Sequence, residues 1–194
     1  MNVKFVDSKT VRLDKSVNDL DAFVLRFIRI LKKHVDYVIV SGYVSILFGR
    51  SRSTEDIDVF IKTLTKSQFE ILYNELTNAG YWCLNAENID EVYSYLDDGL
   101  SVRFANNGET VPNFEVKFAK KKSALMAFAD SLTVAMAEGR LIISSLERHI
   151  AYKRYYLKSE KDLEDSGYIE DLFKEHIDHN KIRLLKKMIE NELA

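Results

Sequence analysis

The strongest constraint on the fold comes from residues 56–62, which begin by alternating acidic and apolar side chains. Side chains two residues apart on a β-strand point to the same face, so this alternation predicts a strand with one polar and one apolar face. Asp56 and Asp58 would project together, while the apolar residues between and after them enter the core. We therefore expect a sheet whose apolar face is covered by other elements.

The segments around this strand predict a protein that mixes helices and strands. The predicted helices cover residues 18–35, 43–48, 66–79, 89–96, 146–157, 161–173 and 181–193. The other predicted strands cover residues 37–41, 101–105, 114–118, 133–137 and 140–143. This order predicts an α+β (α/β) fold, a mixed β-sheet flanked by helices with a helical C-terminal part. We expect an α/β core over residues 1–143 and a C-terminal helical segment, packed on that core, over residues 144–194.

Composition excludes several classes of protein. Of the 194 residues, 46% are hydrophobic and 30% charged, and the formal net charge of -2 argues against coating nucleic acid by bulk electrostatics. Cys83 is the single cysteine, which excludes a disulfide framework and a cysteine-based zinc site. Charges interrupt every apolar run before about 18 residues, and residues 1–15 carry charges instead of a secretory signal. We expect a soluble cytoplasmic protein that does not contact the membrane.

The acidic strand carries candidate chemistry. Two carboxylates side by side repel each other, and protons or a hard cation must relieve the repulsion. Mg²⁺ (or Mn²⁺) is the natural choice, because Mg²⁺ prefers a few carboxylate oxygens together with substrate phosphates. We expect a third acid on a neighbouring strand, and Glu115 in residues 114–118 is placed for that role. Lys117 shares its face and would pair with a triphosphate oxygen.

A glycine turn precedes the acidic strand. Gly42 stands between the predicted strand 37–41 and the predicted helix 43–48. At such a junction backbone N–H groups, together with the hydroxyl of Ser41 or Ser45, would approach a phosphate closely. The sequence thus predicts the parts of a triphosphate-and-magnesium site.

These residues resemble the nucleotidyltransferase fold of the DNA polymerase beta superfamily. Its signature is a small-residue pair, about ten residues of helix and loop, and then Asp-x-Asp, which Ser41-Gly42 and Asp56-Ile-Asp58 match here. The segment Arg52-Ser-Thr54-Glu-Asp-Ile-Asp is similar to the Arg-x-Thr-x-Asp-x-Asp form of uncharacterised bacterial and archaeal members. The same form occurs in abortive-infection nucleotidyltransferase toxins of type IV toxin–antitoxin systems.

A second block extends the resemblance. Residues 146–153, which end at Lys153, and the sequence Lys161-Asp-Leu-Glu-Asp165 are similar to a helical segment of those proteins that packs near the nucleotide. By this resemblance Lys153 would neutralise phosphate, and Asp162 and Asp165 would organise the helix or act at the site.

The resemblance implies a metal-dependent nucleotidyltransferase that moves a nucleoside monophosphate from a nucleoside triphosphate to an acceptor hydroxyl. It implies Asp56, Asp58 and Glu115 as catalytic metal ligands. It implies a nucleotide-binding set, which is Ser41, Gly42, Ser45, Arg52, Thr54, Lys117 and Lys153. The acceptor would be RNA such as a tRNA, a protein or a small molecule, and a toxin would also need an antitoxin protein as its partner.

Ordinary structural roles stand beside these assignments. Glu115 would pair with Arg103 across a hairpin, and Lys161 with Asp165 on an exposed helix face. Thr54 would bond its own backbone, and Lys153 would be solvated. The histidines, His149 among them, would be structural or solvated. Because Tyr43 follows Gly42 where a second small residue is usual, a catalytically inactive nucleotide-binding or interaction module is the alternative function.

Overall fold

A nine-stranded mixed sheet organises the computed structural model, which describes residues 2–193. The strands are β1 (Asn2–Asp7), β2 (Thr10–Asp14), β3 (Tyr37–Ile39), β4 (Asp56–Ile61), β5 (Tyr81–Cys83), β6 (Val102–Asn106), β7 (Asn113–Phe118), β8 (Leu132–Met136) and β9 (Gly139–Ile143). Their order across the sheet is β1-β2-β8-β9-β3-β4-β7-β6-β5. The pairs β2–β8, β3–β9 and β4–β7 are parallel, and the other neighbours are antiparallel.

Eight α-helices surround the sheet within the described residues. They are α1 (Asp19–Leu31), α2 (Gly42–Leu47), α3 (Lys66–Asn78), α4 (Ile89–Asp97), α5 (Lys122–Ala129), α6 (Leu146–Tyr152), α7 (Glu160–Leu172) and α8 (His179–Leu193). A π-helical segment, Lys153–Leu157, continues α6. None of the helices between residues 2 and 193 is long and apolar enough to cross a membrane.

Local signals explain where the main helices begin. Asn18 accepts a hydrogen bond of 2.8 Å from the backbone N–H of Asp21, whose carboxylate accepts in turn from the Asn18 N–H. Thr65 and Ser159 begin α3 and α7 with the same reciprocal arrangement. Each such box satisfies N–H groups that a helix start leaves without partners.

The central strands separate a packed face from an open one. Phe114 of β7 stacks on Phe27 of α1 with ring centroids 3.9 Å apart, and Phe118 contacts Phe69 of α3 edge to face. The alternate residues of β4 and β7, beginning with Asp56 and Asn113, point to the opposite face. Burial therefore alternates along both strands, and the polar side chains collect on one side of the sheet.

The mixed α+β architecture confirms the predicted fold class. Four local features differ from the sequence prediction. The hairpin β1–β2, the short strand β5 and the helix α5 were not predicted, and residues 146–157 form α6 plus a π-helical turn instead of one α-helix. The predicted division between residues 143 and 144 stays a prediction.

Candidate active site

The register of β4 and β7 brings the predicted acids to one face. In this parallel pair Asp58 lies opposite Glu115, and Asp56 lies opposite Asn113. Asp56 and Asp58 share a face because they are two residues apart on one strand. The three carboxylates therefore lie on neighbouring strands on the open side of the sheet.

The negative charge of Asp58 is poorly compensated by the residues around it. Its pKa is raised from 3.8 to about 6, mainly because the carboxylate is buried and also because Asp56 and Glu115 repel its negative charge. A hydrogen bond from Ser41 and the charge of Lys153 lower the pKa by less than these effects raise it. The protein alone therefore leaves the anionic form of Asp58 poorly compensated.

Glu115 also has the structural role that the hairpin register allows. Arg103 lies opposite it on β6, and the Oε2 of Glu115 accepts from Nη2 at 2.8 Å and from Nε at 3.1 Å. Both bonds reach the same carboxylate oxygen. Within residues 2–193, Oε1 of Glu115 forms no hydrogen bond to the protein.

The acids fit a hard cation only in part. Among residues 2–193, no three histidine, cysteine, aspartate or glutamate side chains converge closely enough to hold a metal ion by themselves. Mg²⁺ does not require such a cage, because it takes one or two carboxylates and completes its shell with water and substrate phosphates. The unbalanced charge at Asp58 makes it and Asp56 suitable ligands of that kind, while Glu115 is held by Arg103.

A cavity of about 550 Å³ lies on the open face beside these acids. Its walls come from the central strands, from α5, and from α6 with the π-helical segment. Of the predicted site residues, those that line it are Ser41, Asp58, Glu115, Lys117 and Lys153, and those that do not are Gly42, Ser45, Arg52, Thr54 and Asp56. The structure thus places half of the predicted site residues around a cavity large enough for a small ligand.

The turn before α2 brings Gly42 close to the side chain of Arg52. Ser41 has a φ of 60°, in the left-handed region that a residue with a side chain rarely adopts. A Cβ atom at position 42 would overlap the guanidinium of Arg52. The guanidinium of Arg52 therefore occupies the space that a side chain at position 42 would take, and a larger residue there must displace it.

Ser45 does not reach the cavity, contrary to its predicted contact with phosphate. Its side chain is fully buried, and its hydroxyl lies 2.9 Å from Nε2 of His149 on α6. His149 lines the cavity in its place. Thr54 bonds its own chain, since its hydroxyl donates to the backbone oxygen of Asp56 at 2.9 Å and so fixes the start of β4.

Asp165 holds a cluster of cations next to the site. It is fully buried and pairs with Arg50, with Nε of Arg52 at 3.2 Å and with Nζ of Lys153 at 2.8 Å. Lys153 also pairs with Asp162 at 2.6 Å. The prediction of an exposed ion pair between Lys161 and Asp165 is therefore wrong, because the Asp165 carboxylate points inward to three other cations.

Burial lowers the pKa of two of these cations. The pKa of Lys153 is lowered, chiefly by desolvation, although Asp162 acts against that change. The pKa of Arg52 is also lowered by burial and by the neighbouring Arg50. Lys153 has only 2% of its side chain exposed, so the solvated role considered for it is wrong.

Several cavity residues were missed from the sequence. Arg148, His149, Tyr152 and Tyr156 lie on the wall that α6 and the π-helical segment provide. Their spacing of three and four residues was visible and predicts a shared helix face. The sequence did not indicate that this face borders the site.

Known structures share this architecture, although no protein-family model and no curated relative matches the sequence. The crystal structure of ANT(2'')-Ia in complex with adenylyl-2''-tobramycin matches with a TM-score of 0.56 and 13% identity, over 89% of this chain and 98% of that chain. The crystal structure of an antigenic nucleotidyltransferase-like protein from Paracoccidioides brasiliensis matches with a TM-score of 0.51 and 14% identity, over 88% of this chain and 86% of that chain. At such identities the similarity establishes the fold, and this chain has the nucleotidyltransferase fold that its motifs predict.

Proposed function

We propose that this protein is a metal-dependent nucleotidyltransferase that transfers a nucleoside monophosphate from a nucleoside triphosphate to an acceptor hydroxyl. The observation that carries the proposal is the pairing of Asp58 with Glu115 on adjacent strands, beside a cavity of about 550 Å³. Asp56 adds a third carboxylate two residues before Asp58 on the same strand. The nucleotidyltransferase fold supports the same reaction class.

In the proposed reaction an acceptor oxygen attacks the α-phosphorus, the bond from that phosphorus to the β-phosphate oxygen breaks, and pyrophosphate leaves. Asp56 and Asp58 would hold Mg²⁺ or Mn²⁺. When bound, the cation would neutralise negative charge on the phosphates and favour the ionised acceptor oxygen. Oε1 of Glu115 is free to accept the acceptor's proton while Oε2 stays with Arg103.

Cationic and small residues would position the triphosphate. Lys117 of β7 and Lys153 of the π-helical segment both line the cavity. Ser41 offers its hydroxyl beside Asp58, and Arg52 lies against Gly42 at the turn. Catalysis of phosphoryl transfer rests mainly on positioning and charge neutralisation, which such a set supplies.

The chemical class of the acceptor is determined by a labelling experiment. ANT(2'')-Ia was crystallised with an adenylylated tobramycin, and the sequence resemblance implies RNA or protein acceptors and a toxin role with an antitoxin partner. Incubation with α-labelled triphosphates and separated RNA, protein and small-molecule fractions of a cell lysate identifies the class that becomes labelled. Label transfer to an RNA or protein fraction would support the toxin-like assignment, and transfer only to small molecules would contradict it.

An inactive nucleotide-binding module is the second candidate. The Glu115–Arg103 ion pair favours it, because it removes one oxygen of the third acid from the site. Titration calorimetry with the four triphosphates, with and without Mg²⁺, together with pyrophosphate release in the presence of lysate, separates the two. We expect Mg²⁺-dependent binding and release. Binding without release across all acceptor fractions would establish the module instead.

Glu115→Gln tests the assigned proton acceptor. The amide keeps the size of the side chain but cannot take a proton, so we expect turnover to fall about 100-fold or more while triphosphate affinity stays within about threefold. Pyrophosphate release and calorimetry measure the two quantities. Glu109→Gln, on the loop before β7, is the matched control, and equal turnover in both variants would remove Glu115 from the mechanism.

Gly42→Ala tests the placement of Arg52. Its Cβ would displace the guanidinium, which is the flexible end of a side chain, so we expect the fold to persist and the KM for triphosphate to rise about tenfold. Gly167→Ala is the control, because nothing lies within 4 Å of a Cβ there and alanine favours the helix by about 0.5–1 kcal/mol. An unchanged KM in Gly42→Ala would exclude Arg52 from triphosphate binding.

A further inference from the structure

His149 and Ser45 form a buried polar pair beside the cavity. His149 is 3% exposed and Ser45 is fully buried, and His149 Nε2 lies 2.9 Å from Ser45 Oγ. Ser45 belongs to α2, which follows the Ser41–Gly42 turn, and His149 stands one helical turn before Lys153. The pair therefore connects α2, which follows the Ser41–Gly42 turn, to α6, which leads into Lys153.

Hydrogen-bond satisfaction indicates which ring nitrogen of His149 carries the proton. Within residues 2–193, the hydroxyl of Ser45 has no other hydrogen-bond partner. If it donates to Nε2, a single polar group of the pair, the Nδ1–H of His149, is left without a partner. If Nε2–H donates instead, both the Ser45 proton and the Nδ1 lone pair are left without partners. The first arrangement is favoured, because buried groups without partners are costly.

Nδ1 of His149 is a donor that lacks an acceptor. It is buried and has no hydrogen-bond partner among the described residues, and His149 is one of the residues that line the cavity. Burial, with the charges of Lys153 and Arg52, lowers the pKa of His149 to about 3, so the ring is neutral at physiological pH. A neutral N–H donor whose surroundings include the charges of Lys153 and Arg52 suits an anionic oxygen.

We propose that His149 is a further binding residue for the triphosphate, with its Nδ1–H donating to a phosphate oxygen while Ser45 fixes the tautomer. The inference rests on the proposed function, since it assumes that the cavity takes a triphosphate. In the proposed reaction described above, His149 has no role. The bond adds binding and orientation and changes no covalent step.

Nitrogen NMR of the wild-type protein tests the proposal without a substitution. The imidazole resonances are recorded with and without Mg²⁺ and the α,β-methylene analogues of the four triphosphates, and the signal missing from His149→Gln gives the assignment. We expect a protonated Nδ1 in the free protein and a change of its shift on binding, with His34 and His179 unaffected. An Nε2–H tautomer in the free protein, or an Nδ1 shift that binding leaves unchanged, would overturn the proposal.

Two amide variants distinguish the roles of the two ring nitrogens of His149. The side-chain amide of glutamine reaches the position of Nε2, and the side-chain amide of asparagine reaches the position of Nδ1. We expect His149→Gln to weaken analogue binding about tenfold, as the loss of one hydrogen bond to a charged group predicts, and His149→Asn to recover most of that loss. Thermal unfolding confirms that both variants are folded, and His34→Gln is the control, because His34 lies in the turn after α1, bonds Glu75 and does not line the cavity.

The outcomes also separate this proposal from the proposed function. If the wild-type protein binds none of the analogues, the proposed function fails. If it binds them and His149→Gln binds as tightly as the wild type, or if both amide variants lose affinity equally, only the role of His149 fails.

Discussion

Asp58→Asn is expected to abolish nucleotidyl transfer and to make the metal-free protein more stable. The activity loss follows from the loss of a cation ligand, and we expect turnover to fall by at least about 10²- to 10³-fold. The gain in stability follows from the raised pKa of Asp58, since the folded protein binds its proton more tightly than the unfolded chain does.

The sign of the pH dependence follows from this difference. The unfolded carboxyl titrates near its ordinary value of 3.8 and the folded one at about 6, so the free energy of unfolding falls as the pH rises between these values. Above pH 6 the difference corresponds to at most roughly 3 kcal/mol, which the neutral amide recovers. We expect the variant to unfold about 3–10 °C above the wild type at pH 7 and at nearly the same temperature at pH 4.

Thermal unfolding in a chelating buffer at several pH values measures this effect. Asp36→Asn is the matched control, because that carboxylate is 69% exposed and pairs with Lys62 at the surface. A variant that is less stable than the wild type, or a stability difference that does not change with pH, would show that the folded protein does not raise the pKa of Asp58.

Asp165→Asn has the second large expected effect, a loss of about 3–5 kcal/mol in the free energy of unfolding. The amide leaves the charges of Arg50, Arg52 and Lys153 together in a buried place without their shared carboxylate. For a chain of this length the change lowers the midpoint of thermal unfolding by about 6–20 °C.

Calorimetric or fluorescence-detected unfolding measures the loss. Lys161→Ala, on the same helix but exposed, is expected to stay within about 0.5 kcal/mol of the wild type. If the two variants were equally stable, Asp165 would not be the residue that holds these cations together.

Elements with a strong local pattern could be predicted from the sequence. The alternation in β4 and the capped, amphipathic α1 and α3 are local signals, and each appears where it was predicted. The strands of the β1–β2 hairpin also alternate, but their turn at residues 8–9 has no glycine or asparagine to mark it. Helix α5 begins in a run of lysines without a side-chain cap, and β5 has three residues, so both lack a clear signal.

The arrangement of the candidate site depends on contacts between distant parts of the chain. The acids were found from their motif, whereas the register that places Asp58 opposite Glu115 joins strands far apart in sequence. The pairing of Asp165 with Arg50 and of His149 with Ser45 spans more than a hundred residues each. Such contacts follow from tertiary packing, which no local spacing of residues encodes.

The most direct test of the central claim is a crystal structure of the protein with Mn²⁺ and an α,β-methylene triphosphate. The account predicts anomalous density for Mn²⁺ at Asp56 and Asp58, with the triphosphate in the adjoining cavity between Lys117 and Lys153. A triphosphate bound elsewhere, or a cavity that stays free of both at saturating concentrations, would contradict it.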